Sequence, residues 1–201
     1  MESPRDRHSE RPRKRCRRFN DSGHAHALTF SCFRGRAFLS RDRSRHWMLE
    51  AIRRARDVHQ FHLWAYVLMP EHVHLLILPL SATYRISAIL SSLKQPVAKK
   101  AVRYVRACAP TFLDLMRDRQ PDGTETFCFW QRGGGYDRNL WESRYIWSMI
   151  DYIHLNPVRR GLCERPEDWV WSSARAYSGR GLSSDSLEIE FSSLPEDPRP
   201  E

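Results

Sequence analysis

A chain of 201 residues, 41% of them hydrophobic, has enough apolar material for one domain with a core of its own. Its net charge of +9 selects an anionic partner, nucleic acid ahead of a membrane surface. Five cysteines (Cys16, Cys32, Cys108, Cys128 and Cys163), scattered and never paired as CxxC, speak against a zinc knuckle and a disulfide framework.

The ends differ in charge. Residues 1–18 hold eight Lys/Arg against three Asp/Glu, and residues 178–201 hold two against six. Residues 1–22 therefore read as a disordered basic tail, 23–177 as the folded body, and 178–201 as a flexible acidic tail. The arginine-rich opening is not a signal peptide, and no apolar run nears the ~20 residues that span a bilayer. The expected location is the cytoplasm.

From His24, HAHALTFSCF alternates as a strand does. SRDRSRHWMLEAIRRARDVH follows, with Trp47, Leu49, Ile52 and Ala55 at helical spacing and Ser40 as its cap. FHLWAYVLM (61–69) is a second strand, Pro70-Glu71 a turn, and HVHLLILPL (72–80) a third strand. Residues 84–107 form a basic amphipathic helix that Pro96 breaks or kinks. A loop over 109–126 leads to a fourth strand, FCFWQ (127–131), and GGG at 133–135 is a flexible joint. WESRYIWSMIDYIHL (141–155) is helical, and NPVRRG ends it, because Pro157 disfavours the helical region at Asn156. The order β-α-β-β-α-β predicts an α+β, ferredoxin-like (RRM-like) split βαβ sandwich, an antiparallel sheet with helices on one face.

Within MPEHVHLL, His72 and His74 are two apart and project from one face of the strand, with Val73 turned towards the core. Two parallel imidazoles can chelate a divalent ion, yet two ligands are an incomplete site. By spacing alone, two histidines on a half-wet strand are the commoner case. In DYIHLNPVRRG, Tyr152 and Asn156 are four apart on one helical face. A tyrosine hydroxyl is a covalent nucleophile, and an amide oxygen is a hard ligand.

The ordered series HALTF, WAYVLMPEHVHLL, LKQ, FWQRGGGYDRNL, YIHLNPVRRGL and WVWSS resembles the single-tyrosine HUH transposases, in particular the REP-associated tyrosine (IS200-like) transposases. The resemblance covers roughly residues 24–177 and implies that this body is an HUH catalytic domain. It makes His72 and His74 the metal-binding pair, Asn156 the residue that completes the site, and Tyr152 the nucleophile. Tyr145, two turns earlier, competes for that role, as do Tyr104 and Tyr136. The implied cofactor is Mg²⁺ or Mn²⁺, and the implied substrate is single-stranded or hairpin DNA. That DNA would be cut and rejoined through a 5′-phosphotyrosine link at hairpin-associated repeats, in association with the nucleoid. A monomer and a homodimer both stay open.

Arg53, Arg54 and Arg56 on the first helix and Lys94, Lys99, Lys100, Arg103 and Arg106 on the middle helix are candidates to track phosphates, with Arg159 and Arg160 beside the nucleophile helix. Arg13, Lys14, Arg15, Arg17 and Arg18 form a basic arm. Trp130 and Trp171 fit the core better than base stacking. Two rivals share the electrostatics: a catalytically silent protein that binds repeat hairpins, and an RRM-type RNA binder. The second would need stacking aromatics where His72 and His74 stand.

Overall fold

The computed structural model describes residues 20–180 and 186–198. The main sheet is antiparallel, built from β1 (Ala25–Ser31), β2 (Phe61–Leu68), β3 (His72–Pro79) and, late in the chain, β6 (Tyr136–Leu140), in the order β2-β3-β1-β6. Helices α1 (Asp42–His59) and α2 (Ile86–Cys108) make the two crossovers. After α2 come a one-turn helix α3 (Leu113–Met116) and a separate hairpin of β4 (Arg117–Arg119) and β5 (Glu125–Phe127). Helix α4 (Ser143–Arg159) follows β6, and a short α5 spans Ala174–Tyr177. The α+β split βαβ order expected from the sequence is the one present.

The helices are not all on one face. Leu28, Phe30, Tyr66, Leu68, Val73, Leu75 and Ile77 join the cluster under α1 and α2. The alternate side chains Ala25, Ala27, Val67 and Leu76 join a second cluster with Ile146, Ile150 and Ile153 of α4. A bulge between Leu63 and Ala65 sends both Trp64 and Ala65 to the α4 side. The expectation of helices on one face is therefore corrected, and the near-continuous apolar run of β2 is its physical sign, since a strand buried on both faces does not alternate.

Other expectations shift for local reasons. The fourth strand of the sheet is Tyr136–Leu140, paired with β1, while Phe129 and Trp130 of FCFWQ are core residues reached by a single bridge between Cys32 and Trp130. The triple glycine does more than flex. Gly135 has φ +72°, and a Cβ there would overlap the Thr29 carbonyl oxygen, so only glycine lets β6 start this close to β1. Pro96 lies inside a continuous α2, and α4 runs past Pro157 to Arg159. Both Asn156 and Pro157 are buried, and that packing outweighs the proline penalty. Gly161 closes α4 with φ +66°: its N–H donates to the Val158 carbonyl and that of Leu162 to the Pro157 carbonyl. Ser40 caps nothing; Arg41 precedes α1 without a side-chain cap.

The expected loose tail after Tyr177 does not hold for residues 186–194. Leu187 and Ile189 are buried, the Glu190 N–H donates to the Leu63 carbonyl, and Trp64 Nε1 donates to Ser193 Oγ at 2.8 Å. WVWSS covers the outer edge of β2, with the Leu68 N–H donating to the Trp171 carbonyl and that of Ser173 to the Tyr66 carbonyl. The basic arm and most of the predicted N-terminal tail lie outside the described residues. Among the described residues no helix is long and apolar enough to cross a membrane.

Candidate active site

The strand pleat sets the histidine pair. His72 and His74 emerge on the α4 side of β3, ring centres 4.6 Å apart and edge to face at 86°. Val73 between them is buried under α1 and α2. Register brings Thr29 of β1 opposite His74, and its Oγ1 lies 2.7 Å from His74 Nδ1. With Nδ1–H donating to that oxygen, the Nε2 lone pair of His74 points into the site.

Helix α4 supplies the other half. Ile146, Ile150 and Ile153 bury one stripe of the helix against the sheet, which lays its last turns over the histidines. Asn156 Nδ2 lies 3.2 Å from His74 Nε2, and the Asn156 carboxamide also bonds His72. One turn earlier, the Tyr152 ring stands edge-on to His74 at 5.4 Å and is 43% exposed. The Arg159 guanidinium lies 5.3 Å from the centre of that ring. Tyr145, by contrast, has its ring against Arg138 and Arg144, two turns from the pair. Tyr104 lies on α2, across the sheet.

Electrostatics keep both imidazoles neutral. Burial pushes His74 down to about 3, and the neighbouring His72 adds to the shift. His72 is lowered too, by burial first and by Arg160, with Glu71 opposing. Glu71 organises this corner: its Oε1 accepts from Arg160 Nη1 at 2.6 Å and lies 3.1 Å from His72 Nδ1. Two neutral nitrogens and a carboxamide, whose half-turn presents its oxygen in place of its nitrogen, are a donor set that fits a divalent cation. Among the described residues no cluster of three or more His, Cys, Asp or Glu can hold a metal, so the amide of Asn156 is what distinguishes this corner. Thr29 and Glu71 were missed in the sequence. Glu71 was legible as the neighbour of His72, whereas Thr29 depends on strand register.

The predicted DNA-contacting residues divide between the two faces. Arg159 and Arg160 border the site. Those of α1 and α2 belong to the opposite side. Arg53 and Arg56 donate to the Ser186 and Glu188 carbonyls, holding the C-terminal segment. Lys94 donates to the Gln131 and Gly133 carbonyls, and Lys100 pairs with Glu50 between the helices. Lys99, Arg103 and Arg106 line a shallow groove of α2 with Phe127, and Arg54 lines a second one with Lys99. Trp130 is in the core, its Nε1 donating to the Lys94 carbonyl, and Trp171 is half-buried against His46 and Arg45.

No family model and no curated protein matches the chain. Among solved structures it is similar to a REP-associated tyrosine transposase bound to a REP hairpin, with a TM-score of 0.60 and 21% identity over 90% of this chain and 95% of that one. A candidate transposase from Deinococcus radiodurans R1 aligns at a TM-score of 0.40 and 17% identity, over 68% of this chain and 92% of that one. The first likeness shows a shared fold.

Proposed function

We propose that the chain is a REP-associated tyrosine transposase, a metal-dependent endonuclease and strand transferase acting on single-stranded DNA at hairpin-associated repeats. The observation that carries this reading is the meeting of Tyr152 and Asn156 of α4 with His72 and His74 of β3. The shared fold with a transposase that binds a REP hairpin supports it.

His72, His74 and Asn156 would hold Mg²⁺ or Mn²⁺, which when bound acts as a Lewis acid on a phosphodiester. The neutral state of both imidazoles leaves their lone pairs free for that role. Thr29 fixes the His74 ring, and Glu71 holds His72 and Arg160 in place. Arg159 and Arg160 would offset the phosphate charge that otherwise repels a nucleophile. The Tyr152 oxygen attacks phosphorus, the bond from phosphorus to the 3′ oxygen breaks, and the leaving 3′ oxygen takes a proton to become a hydroxyl. The 5′ phosphate stays on Tyr152, so a 3′-hydroxyl can reverse the step and rejoin strands without ATP. Nucleoid association belongs to the same reading, which is compatible with a monomer and with a homodimer.

The test is a cleavage assay on labelled single-stranded hairpin DNA from the repeats flanking the gene, with Mg²⁺, with Mn²⁺ and with chelator. A covalent protein–DNA adduct that disappears with chelator and in Tyr152→Phe is the expected result. An adduct that persists in Tyr152→Phe would move the nucleophile to another tyrosine. Hairpin binding without adduct under any metal would leave a silent binding protein.

A further inference from the structure

The face that carries the site also carries exposed aromatics that catalysis does not use. Tyr136, at 54% exposure, opens β6 opposite Thr29, which is itself opposite His74. Directly paired residues of a sheet share a face, so His74, Thr29 and Tyr136 form one row, with Tyr136 about 10 Å from His74 across two strand spacings. Arg138, next on that face of β6, lies opposite Ala27 and places its guanidinium 5.8 Å from the centre of the Tyr145 ring. Tyr145 is 41% exposed, and Arg144 reaches its ring at 4.6 Å. Seven residues separate Tyr145 from Tyr152, which puts them on one side of α4 about 10 Å apart.

Single exposed aromatics are ordinary, but two tyrosines alternating with arginines along one edge and ending at the nucleophile are not. Bases stack on such rings whatever their identity, and guanidinium groups take the phosphates between them. The negative charge in the strand is turned away: Asp137 points to the other face, 2.8 Å from buried His26. Arg144 pairs with Glu142 at 2.8 Å, which leaves Arg138 as the principal phosphate contact. The edge also depends on Gly135, since only glycine seats β6 against Thr29.

We propose that β6 and the first turns of α4 form a track for the single-stranded DNA adjoining the cleaved phosphodiester, with Tyr136 and Tyr145 stacking bases and Arg138 binding phosphate. The proposal rests on the transposase reading and deepens it, and it assigns Tyr145 to substrate positioning rather than to nucleophilic attack.

Binding of two fluorescent oligonucleotides by the full chain tests this: a blunt hairpin, and the same hairpin with a single-stranded homothymidine extension. Circular dichroism confirms the fold of each variant, and adduct formation is followed separately. Tyr136→Ala, Tyr145→Ala and Arg138→Ala should each weaken binding of the extended hairpin roughly tenfold. The blunt hairpin should bind unchanged, and Tyr145→Phe should behave as wild type. Wild-type affinity in the Tyr136→Ala/Tyr145→Ala double variant, or equal loss on both oligonucleotides, would overturn the track. Preference for the extension without any adduct would support the track while sinking the catalytic reading. A wild-type chain that binds neither oligonucleotide would overturn both.

Discussion

The two faces of the sheet use their charges differently. On the α1/α2 face, Arg53, Arg56, Lys94 and Lys100 are engaged with carbonyls or a carboxylate of the chain itself. On the α4 face, histidines, a half-exposed tyrosine and arginines converge at one corner. Half of the candidate phosphate contacts on α1 and α2, these four of eight, are therefore already engaged within the chain. A cation that already bonds protein carbonyls has less to offer a phosphate, while a neutral imidazole held by a hydroxyl is arranged for a ligand.

The sharpest way to separate the faces is to remove one residue from each. His74→Ala should abolish adduct formation, a loss of about 10³-fold or more, because it removes one of the two imidazoles that, with Asn156, would hold the metal. Lys100→Ala should leave adduct yield within about twofold, since an exposed pair with Glu50 stabilises the fold by about 1 kcal/mol at most. Equal losses in the two variants, measured as adduct per hour at fixed metal, would erase the distinction between the faces. Thr29→Val asks a finer question. It keeps the shape of the side chain but removes the hydroxyl beside His74 Nδ1, so metal affinity should fall about 10- to 100-fold while the thermal midpoint moves little. Titration of adduct yield against Mn²⁺ concentration reads this directly, and an unchanged titration curve would mean that His74 needs no partner.

Much of the α4 face was legible from local spacing, and what was not depended on partners far away in sequence. His72 with His74, and Tyr152 with Asn156, announce themselves by the periods of a strand and a helix. Their meeting depends on α4 lying across the sheet from α1 and α2, and the unbroken apolar run of β2 was the available sign. The strand Tyr136–Leu140 carries no strand pattern of its own because four of its five residues are polar or exposed, as an edge strand tolerates. FCFWQ reads as a strand because aromatics favour strands, yet Phe129 and Trp130 fill the core from a loop. In the acidic tail, the two-residue alternation of Leu187 and Ile189 was hidden among carboxylates.

Two stability measurements probe how the faces are joined. Gly135→Ala should cost about 3 kcal/mol or more, from the overlap with Thr29 and a left-handed φ together. The midpoint of denaturant unfolding should fall accordingly, and no change would mean that β6 can pair with β1 at a wider spacing. His154 adds a pH dependence. Burial lowers it to about 4, and its Nε2 lies 2.8 Å from Ser173 Oγ, joining α4 to the segment that covers β2. The unfolded state then binds the extra proton first as pH falls from about 6.5 towards 4, so stability is present above that window and is lost through it. A shift of that size corresponds to about 3 kcal/mol as an upper figure, and His154→Gln should flatten the slope of stability between pH 4 and pH 6.5.

The smallest expected effect bears most directly on the comparison. Lys99, Arg103 and Arg106 line the outer groove of α2 beside Phe127 and face away from the histidines. If the strand follows the β6 track, replacing all three by alanine should change the affinity for an extended hairpin by no more than about threefold. The slope of log K against log salt should then stay as in wild type, because those charges neutralise no phosphate in the complex. If instead the DNA wraps around the back of α2, each lost contact removes about 0.7 from the slope for a single strand, so the slope should fall by about 2. The salt titration thus separates attraction at a distance from contact, which an affinity at one ionic strength cannot do. A slope lowered by about 2 would show that the charge pattern of the helices had marked part of the substrate path after all.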